Sequence, residues 1–274
     1  MPIGLLLLAT CKSVDHSPTP LLAEGRKGMV SSAYPLATRA GLGILRAGGN
    51  AFDAAVAIAA ALNVTEPMMS GMGGYGTILV YDAKAARVRY LDSSGRIPKA
   101  VDSDVYRSPT PGYLENRRGA KAVSTPGNVM AWGSLSKLYG TLDWSDLFAP
   151  AIRLADHGFR IDGRTAGLIA RAYGDFSETA QKIYGREGRP LRAGERLIQK
   201  DLASSLALIA ANGTAAFYTG PLSRIIDRAM TCRVAFSPPR TCVHIAPNGG
   251  TRSTSTIVAS RYTCLHRRPT RSRR

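Results

Sequence analysis

The sequence predicts an α/β fold that becomes mostly helical after residue 127. Three observations predict it. From Pro35 to Val64, apolar residues recur at helical spacing in two blocks split by a Gly-Gly-Asn break. Thr77–Tyr81 and Arg87–Asp92 read as two short strands joined by a turn. Beyond Gly127, helical patterns follow one another with only brief interruptions.

Met29–Ser32 reads as a short β-type run before the first helix. Pro35 opens that helix, where a missing N–H costs nothing. Leu36, Ala40, Ile44 and Leu45 form its apolar stripe. Gly48 and Gly49 stop it, and Asn50 is a good N-cap for the next helix. Ala51–Val64 is apolar almost all round, which predicts a buried helix, expected to pack on a sheet. Gly71, Gly73, Gly74 and Gly76 then form a tight loop before the strand Thr77–Tyr81. A sharp turn and a phosphate cradle are the two readings of that loop. The second lacks the Gly-Lys-Ser/Thr ending and the strand-to-helix order of a P-loop, so it is set aside. Val101–Ala122 is polar and charged and reads as a surface excursion. Asn128–Tyr139, Trp144–Asp156, Asp162–Ala172, Lys200–Asn212 and Pro221–Arg228 are the later helices. Gly185–Arg196 is basic and glycine-containing and reads as a solvated loop.

Several motifs resemble a known family. P-L-A-T-x-A-G-x-x-I-L-R-A-G-G-N-A-x-D-A-A-V-A starts at Pro35. Ser70-Gly71-Met72-Gly73-Gly74 and Leu79-Val80-Tyr81-Asp82-Ala83 follow it. Ser124-Thr125-Pro126-Gly127, Pro150–Ala155 with Gly158-Phe159, and Ala216-Phe217-Tyr218-Thr219-Gly220 come later in the same order. Together they resemble the large subunit of gamma-glutamyltransferases, from Gly28 to Arg228. The resemblance implies an N-terminal-nucleophile hydrolase, an αββα sandwich of which this chain carries the large-subunit portion. It implies a precursor that cuts itself before a threonine. The threonine hydroxyl then attacks a γ-glutamyl amide, its own free amine serves as base, and backbone N–H groups hold the oxyanion. It implies no cofactor and no metal. The threonine and the oxyanion glycines lie in the small subunit, and no T-T-H-type motif occurs here, so no catalytic residue is assigned. The chain by itself is therefore expected to be inactive.

The substrate-binding candidates are Ser94 and Arg96, in the Ser93–Pro98 loop that follows the second strand. Family members typically carry an arginine four residues before this proline, gripping the substrate α-carboxylate as a charge-assisted pair. Ser94 stands there instead, and a hydroxyl cannot replace a bidentate cation. Arg96 is either a partial replacement or a solvated loop arginine. The departure puts glutathione specificity in question and keeps related acylases open. The partner implied is a γ-glutamyl small molecule, once a small subunit completes the site.

The first residues, MPIGLLLLATC, resemble a bacterial lipoprotein signal with Cys11 as the lipidated residue. The run is too short to span a bilayer. An unprocessed N-terminus and a late start codon are the alternatives. Lipidation would place the protein in the cell envelope or periplasm. Lys12–Lys27 reads as a linker. Three regions result: signal and linker over 1–27, a gamma-glutamyltransferase large-subunit-like domain over 28–230, and a basic tail over 231–274.

The tail differs in kind. It holds nine Lys/Arg and no Asp/Glu, contributing +9 of the formal net charge of +17. Cys232, Cys242 and Cys264 also lie there, three of the four cysteines, with spacing that fits no common zinc pattern. The four histidines form no Ser-His-Asp or metal constellation. A basic tail normally suggests a nucleic-acid or membrane arm, and a non-enzymatic basic protein is the alternative function. Another account fits better. Codons read one frame over permit G-G-x-L-T-x-x-D-L-x-x-Y across Arg233–Ile245, Y-R-G across Thr256–Ala259, and prolines and serines across Cys264–Pro269. That order resembles the family sequence expected soon after Met230. The tail is thus expected to be an out-of-frame reading, disordered because it has high charge and little to bury.

Overall fold

The computed structural model of the protein describes residues 23–94, 122–234 and 257–259. Two helices open it. α1 (Pro35–Arg46) starts on Pro35 as its first residue, after an extended Tyr34. It buries Ala37, Ala40, Gly41 and Ile44, one face of a 3.6-residue period. Gly48, at φ +94°, lets the chain turn off the helix end.

α2 (Ala51–Thr65) is the centre of the helical core. Asn50 caps it by accepting from the N–H groups of Phe52 (2.8 Å) and Asp53 (3.1 Å). The Asp53 carboxylate returns the bond, accepting from the Asn50 N–H at 3.0 Å, which completes a capping box. Ala54, Val56, Ala57, Ala60, Ala61 and Val64 are all buried. The helix has no polar face because α1, α3 (Asn128–Tyr139) and α4 (Trp144–His157) surround it. Small residues make this possible. A Cβ on Gly41 would stand 2.6 Å from Ile58, so α1 and α2 approach more closely than an alanine would permit.

β1 (Thr77–Asp82) and β2 (Arg87–Asp92) form an antiparallel hairpin, with Ile78 opposite Leu91 and Leu79 opposite Tyr90. Val80 and Leu91 point into the core, while Leu79 and Tyr81 stand outside, 70% and 63% exposed. A third strand, β7 (Ile257–Ala259), pairs antiparallel on the other side of β2.

The second half is helical. After α4 come β3 (Phe159–Arg160), α5 (Gly163–Ala172), α6 (Glu178–Tyr184) and the small hairpin of β4 (Gly185–Arg186) and β5 (Arg189–Pro190). β6 (Arg196–Leu197) pairs with β3. α7 (Lys200–Asn212), α8 (Ala215–Tyr218) and α9 (Pro221–Val234) close the described chain. α7 packs on α4, where the Trp144 indole donates to the Ile209 carbonyl at 2.8 Å. Trp132 and Trp144 flank Phe148 there, with centroids 6.3 and 4.6 Å away.

Several expectations need correction. Met29–Ser32 is not a strand, since no strand lies beside it to take its hydrogen bonds among the described residues. α2 packs chiefly on helices rather than on a sheet. Gly185–Arg196 is not a plain solvated loop. It carries β4 and β5 and begins β6, braced by a bidentate Arg189–Glu195 pair at 3.0 and 2.8 Å. α6 and α8 were not foreseen, because four to seven residues are too few to show a period. Two pieces of the segment expected to lack structure carry it: α9 runs on to Val234, and Ile257–Ala259 form β7. The rest of the tail, with Cys242 and Cys264, lies outside the described residues, as does most of Val101–Ala122.

Candidate active site

The glycine loop is the hub of the candidate site, and three elements hold it. From α2, the Asn63 Oδ1 accepts from the Met72 N–H at 2.8 Å. From β2, Ser93 donates its N–H (3.0 Å) and hydroxyl (2.8 Å) to the Gly76 carbonyl, and the Ser93 Oγ also lies 2.8 Å from the Gly76 N. From the start of α3, the N–H groups of Gly127 and Asn128 donate to the Gly74 carbonyl at 2.9 and 3.1 Å. The Asn128 side chain donates to the Gly71 carbonyl at 2.7 Å.

Gly71, Gly74 and Gly127 serve close approach rather than a special dihedral angle, whereas a Cβ on Gly73 or Gly76 would meet open space. A Cβ on Gly71 would meet Asn63 at 3.1 Å, and one on Gly74 would meet Asn128 at 3.0 Å. At Gly127 a Cβ would overlap the Ser93 carbonyl oxygen outright. The Pro-Gly turn, the glycine loop and the end of β2 are therefore one packed unit. None of these glycines has a positive φ.

α8 clamps the unit from behind. The Tyr218 hydroxyl donates to the Pro126 carbonyl at 3.0 Å and accepts from the Met130 N–H at 3.0 Å. Burial pushes its phenol up to about 12, although the Met130 N–H pulls the other way.

Ser94 projects from this frame as the next residue after Ser93, and it is exposed. Its N–H donates to the Asp92 Oδ1 at 2.8 Å. The Ser94 hydroxyl first, and then its N–H, holds the Asp92 carboxyl below the ordinary carboxylate range. The rim is thus built from a hydroxyl and a carboxylate. Arg96 and Cys11 lie outside the described residues.

No group of three His, Cys, Asp or Glu side chains that could hold a metal occurs among the described residues. His157 is a surface residue whose Nε2 lies 3.6 Å from an Asp156 carboxylate oxygen. No described helix is long and apolar enough to cross a membrane.

Sequence reasoning singled out Ser94 but not its supports. Tyr218 sits inside a recognised motif without an assigned task, while Asn63 and Asn128 lie between the motifs. Asn63 carried a readable signal, because a polar residue within an apolar helix must find a partner when buried. Asn128 and Tyr218 carried none, because their partners lie 57 and 92 residues away.

Residues 37–233 match the family model described as Gamma-glutamyltranspeptidase. The chain is 41% identical over 207 residues to the glutathione hydrolase proenzyme of Bacillus subtilis (strain 168), covering 74% of this chain and 35% of that protein. It is 39% identical over 220 residues to the acylase ACY 1 proenzyme of Pseudomonas sp. (strain SE83), covering 76% of this chain and 39% of that one. Its structure resembles that of Helicobacter pylori gamma-glutamyltranspeptidase with a TM-score of 0.74 and 30% identity, covering 78% of this chain and 62% of that one. The chain thus spans between 35% and 39% of the length of these two curated relatives.

Proposed function

The chain belongs to the gamma-glutamyltranspeptidase family, and from that premise we propose that it supplies the substrate-framing part of an acyl-transfer site. The site acts on an amide through a threonine supplied by a small-subunit segment. That threonine's hydroxyl oxygen bonds to the acyl carbon as the amide C–N bond breaks, and its α-amine relays the proton to the leaving amine. Completed this way, the fold is an αββα sandwich, with the β1–β2 hairpin in one of the inner layers. No residue of this chain is assigned as nucleophile, so the 274-residue polypeptide alone is inactive in this reading.

One observation carries the choice of substrate. Ser94, exposed beside an Asp92 carboxylate, stands where the resemblance places a carboxylate-gripping arginine. A γ-glutamyl donor bound there would lose its main cationic partner and meet a negative charge. Glutathione-like substrates are therefore handled poorly, and acyl amides without that α-carboxylate are handled better. The similarity to an acylase proenzyme supports this substrate class. The test joins this chain through residue 230 to a complete small-subunit sequence and assays γ-glutamyl against simple acyl anilides. Ser94→Arg should raise kcat/KM for the γ-glutamyl substrate by roughly ten- to hundredfold, the worth of one charged hydrogen bond. Rapid γ-glutamyl turnover with Ser94 in place would pass the carboxylate role to Arg96 instead.

Two further readings belong here. Cys11 is a lipid-anchoring residue, which would place the protein at the envelope; Cys11→Ser should move it from the membrane to the soluble fraction. Residues 231–274 are an out-of-frame reading of family sequence, which the DNA around codon 230 would decide. The family match over residues 37–233 favours acyl transfer over a nucleic-acid-binding tail.

A further inference from the structure

A groove of about 400 Å³ lies between α5 and the segment that follows β4. Its apolar walls are Ala166, Gly167 and Ala170 on α5, and Pro190, Leu191 and Ala193 opposite. The floor is shallow because α5 shows only small residues on that side. Among the residues of the glycine-loop frame, none lines it.

Its charge is predominantly positive. Arg189 lines the groove, but its guanidinium is committed to Glu195 in a bidentate pair. Arg192 lines it as well, exposed; its backbone is engaged, the N–H donating to the Glu195 carboxylate at 2.7 Å and the carbonyl accepting from the Glu195 N–H at 3.0 Å. A guanidinium nitrogen of Arg171 lies 3.9 Å from where a Cβ on Gly167 would stand, so a third cation borders the same space. Neither Arg171 nor Arg192 forms an ion pair with any described carboxylate. Arg186, exposed across the β4–β5 hairpin, adds a further positive charge close enough to act on Glu195. Against these four guanidinium groups stand the Glu195 and Glu187 carboxylates, both acting on Arg189, so the rim of the apolar trough stays net positive.

We propose that this groove binds an acidic peptide segment of a partner protein, small apolar side chains seated on α5 and carboxylates paired with Arg171 and Arg192. Three physical requirements meet here. Guanidinium forks suit carboxylates geometrically. The apolar floor gives area that a purely electrostatic patch lacks. The bidentate Arg189–Glu195 pair and a Leu191 N–H bonded to the Tyr184 carbonyl at 3.0 Å hold the far wall before any ligand arrives. The site is distinct from the proposed acyl-transfer site and does not depend on it.

The experiment uses the full chain and a fluorescein-labelled peptide of alternating glutamate and alanine or leucine, followed by anisotropy in 0.15 M salt. A second peptide with lysine for every glutamate, and an oligonucleotide of equal negative charge, are the comparisons. A photo-crosslinking version of the acidic peptide maps the contact by mass spectrometry. Saturable binding of the acidic peptide alone is expected, with cross-links in 163–171 and 189–193. Arg192→Glu and Gly167→Leu should each weaken it about tenfold or more. Gly167→Leu fills the trough without changing charge and keeps a good helix former in α5. Arg39→Glu on α1, outside the groove, should leave binding nearly unchanged. Cross-links confined to residues 231–274, equal loss with Arg39→Glu, tighter oligonucleotide binding, or indifference to Gly167→Leu would each overturn the proposal. Circular dichroism of each variant separates lost binding from lost folding.

Discussion

Asp53 joins two parts of the chain with one carboxylate. It closes the capping box on α2 and, fully buried, also accepts from the Thr141 N–H (3.1 Å) and hydroxyl (2.7 Å). The N-terminus of α2 is thereby tied to the α3–α4 turn, 88 residues downstream. Asp53→Ala would strand several buried donors at once, so it should cost about 2–4 kcal/mol, read as a lower denaturant midpoint. Ala86 shows the opposite case. It sits at φ +48° in the β1–β2 turn, a conformation that glycine adopts freely and alanine does not. Ala86→Gly should therefore be neutral or stabilising by up to about 1 kcal/mol, against the usual sign for glycine in a strand hairpin. Tyr218→Phe tests the clamp behind the candidate site. It removes one donated and one accepted hydrogen bond and should cost about 1–2 kcal/mol.

At the scale of elements, α2 is the least tolerant. Ala57 is fully buried among α1, α3 and α4. Ala57→Asp would bury a charge with no partner and should cost about 3–5 kcal/mol. Unchanged melting of a soluble Ala57→Asp protein would show that α2 is not core. The β4–β6 region behaves differently, because it is held by charge. Arg189, and then the Arg192 N–H, hold the Glu195 carboxyl down at about 2 from an ordinary 4.5. A depressed carboxylate stabilises the fold above its unfolded value and loses that contribution as pH falls from about 4.5 towards 2. The pair is half-buried at the surface and screened by solvent, so the effect should be local. Amide exchange in 185–197 should quicken over that acid range while α2 stays protected, and Glu195→Gln should abolish the pH dependence.

For the whole molecule, the sheet carries the prediction. Among the described residues β1 is an edge strand, with Leu79 and Tyr81 exposed on its outer face. Such an edge invites pairing with other chains. The chain expressed alone should therefore associate at micromolar concentration, and Leu79→Lys with Tyr81→Lys should reduce that association in light scattering. Joined to a small-subunit sequence, it should gain turnover of an acyl anilide, and the unjoined chain should show none. Turnover by the unjoined chain would force a search for a nucleophile among Thr251, Ser253 and Thr254.

The sequence by itself determined the long elements and the family. α1, α2, β1, β2, α3, α4, α5 and α7 were legible within a residue or two, because each is long enough to show its period and carries its own cap or stop. Ser94 stands out only through the family resemblance, as a departure from an expected residue at a fixed distance from Pro98, and its substrate role is a proposal. Only the tertiary structure decided what surrounds them. That α2 is enclosed by helices rather than laid on a sheet depends on which neighbours arrive, and an all-apolar helix accepts either. That Asn63, Ser93, Gly127 and Asn128 converge on one glycine loop, with Tyr218 holding Pro126 and Met130 behind it, depends on contacts across as many as 92 residues. Local pattern records which face of an element wants burial, whereas the partner that buries it is chosen only when the whole chain packs.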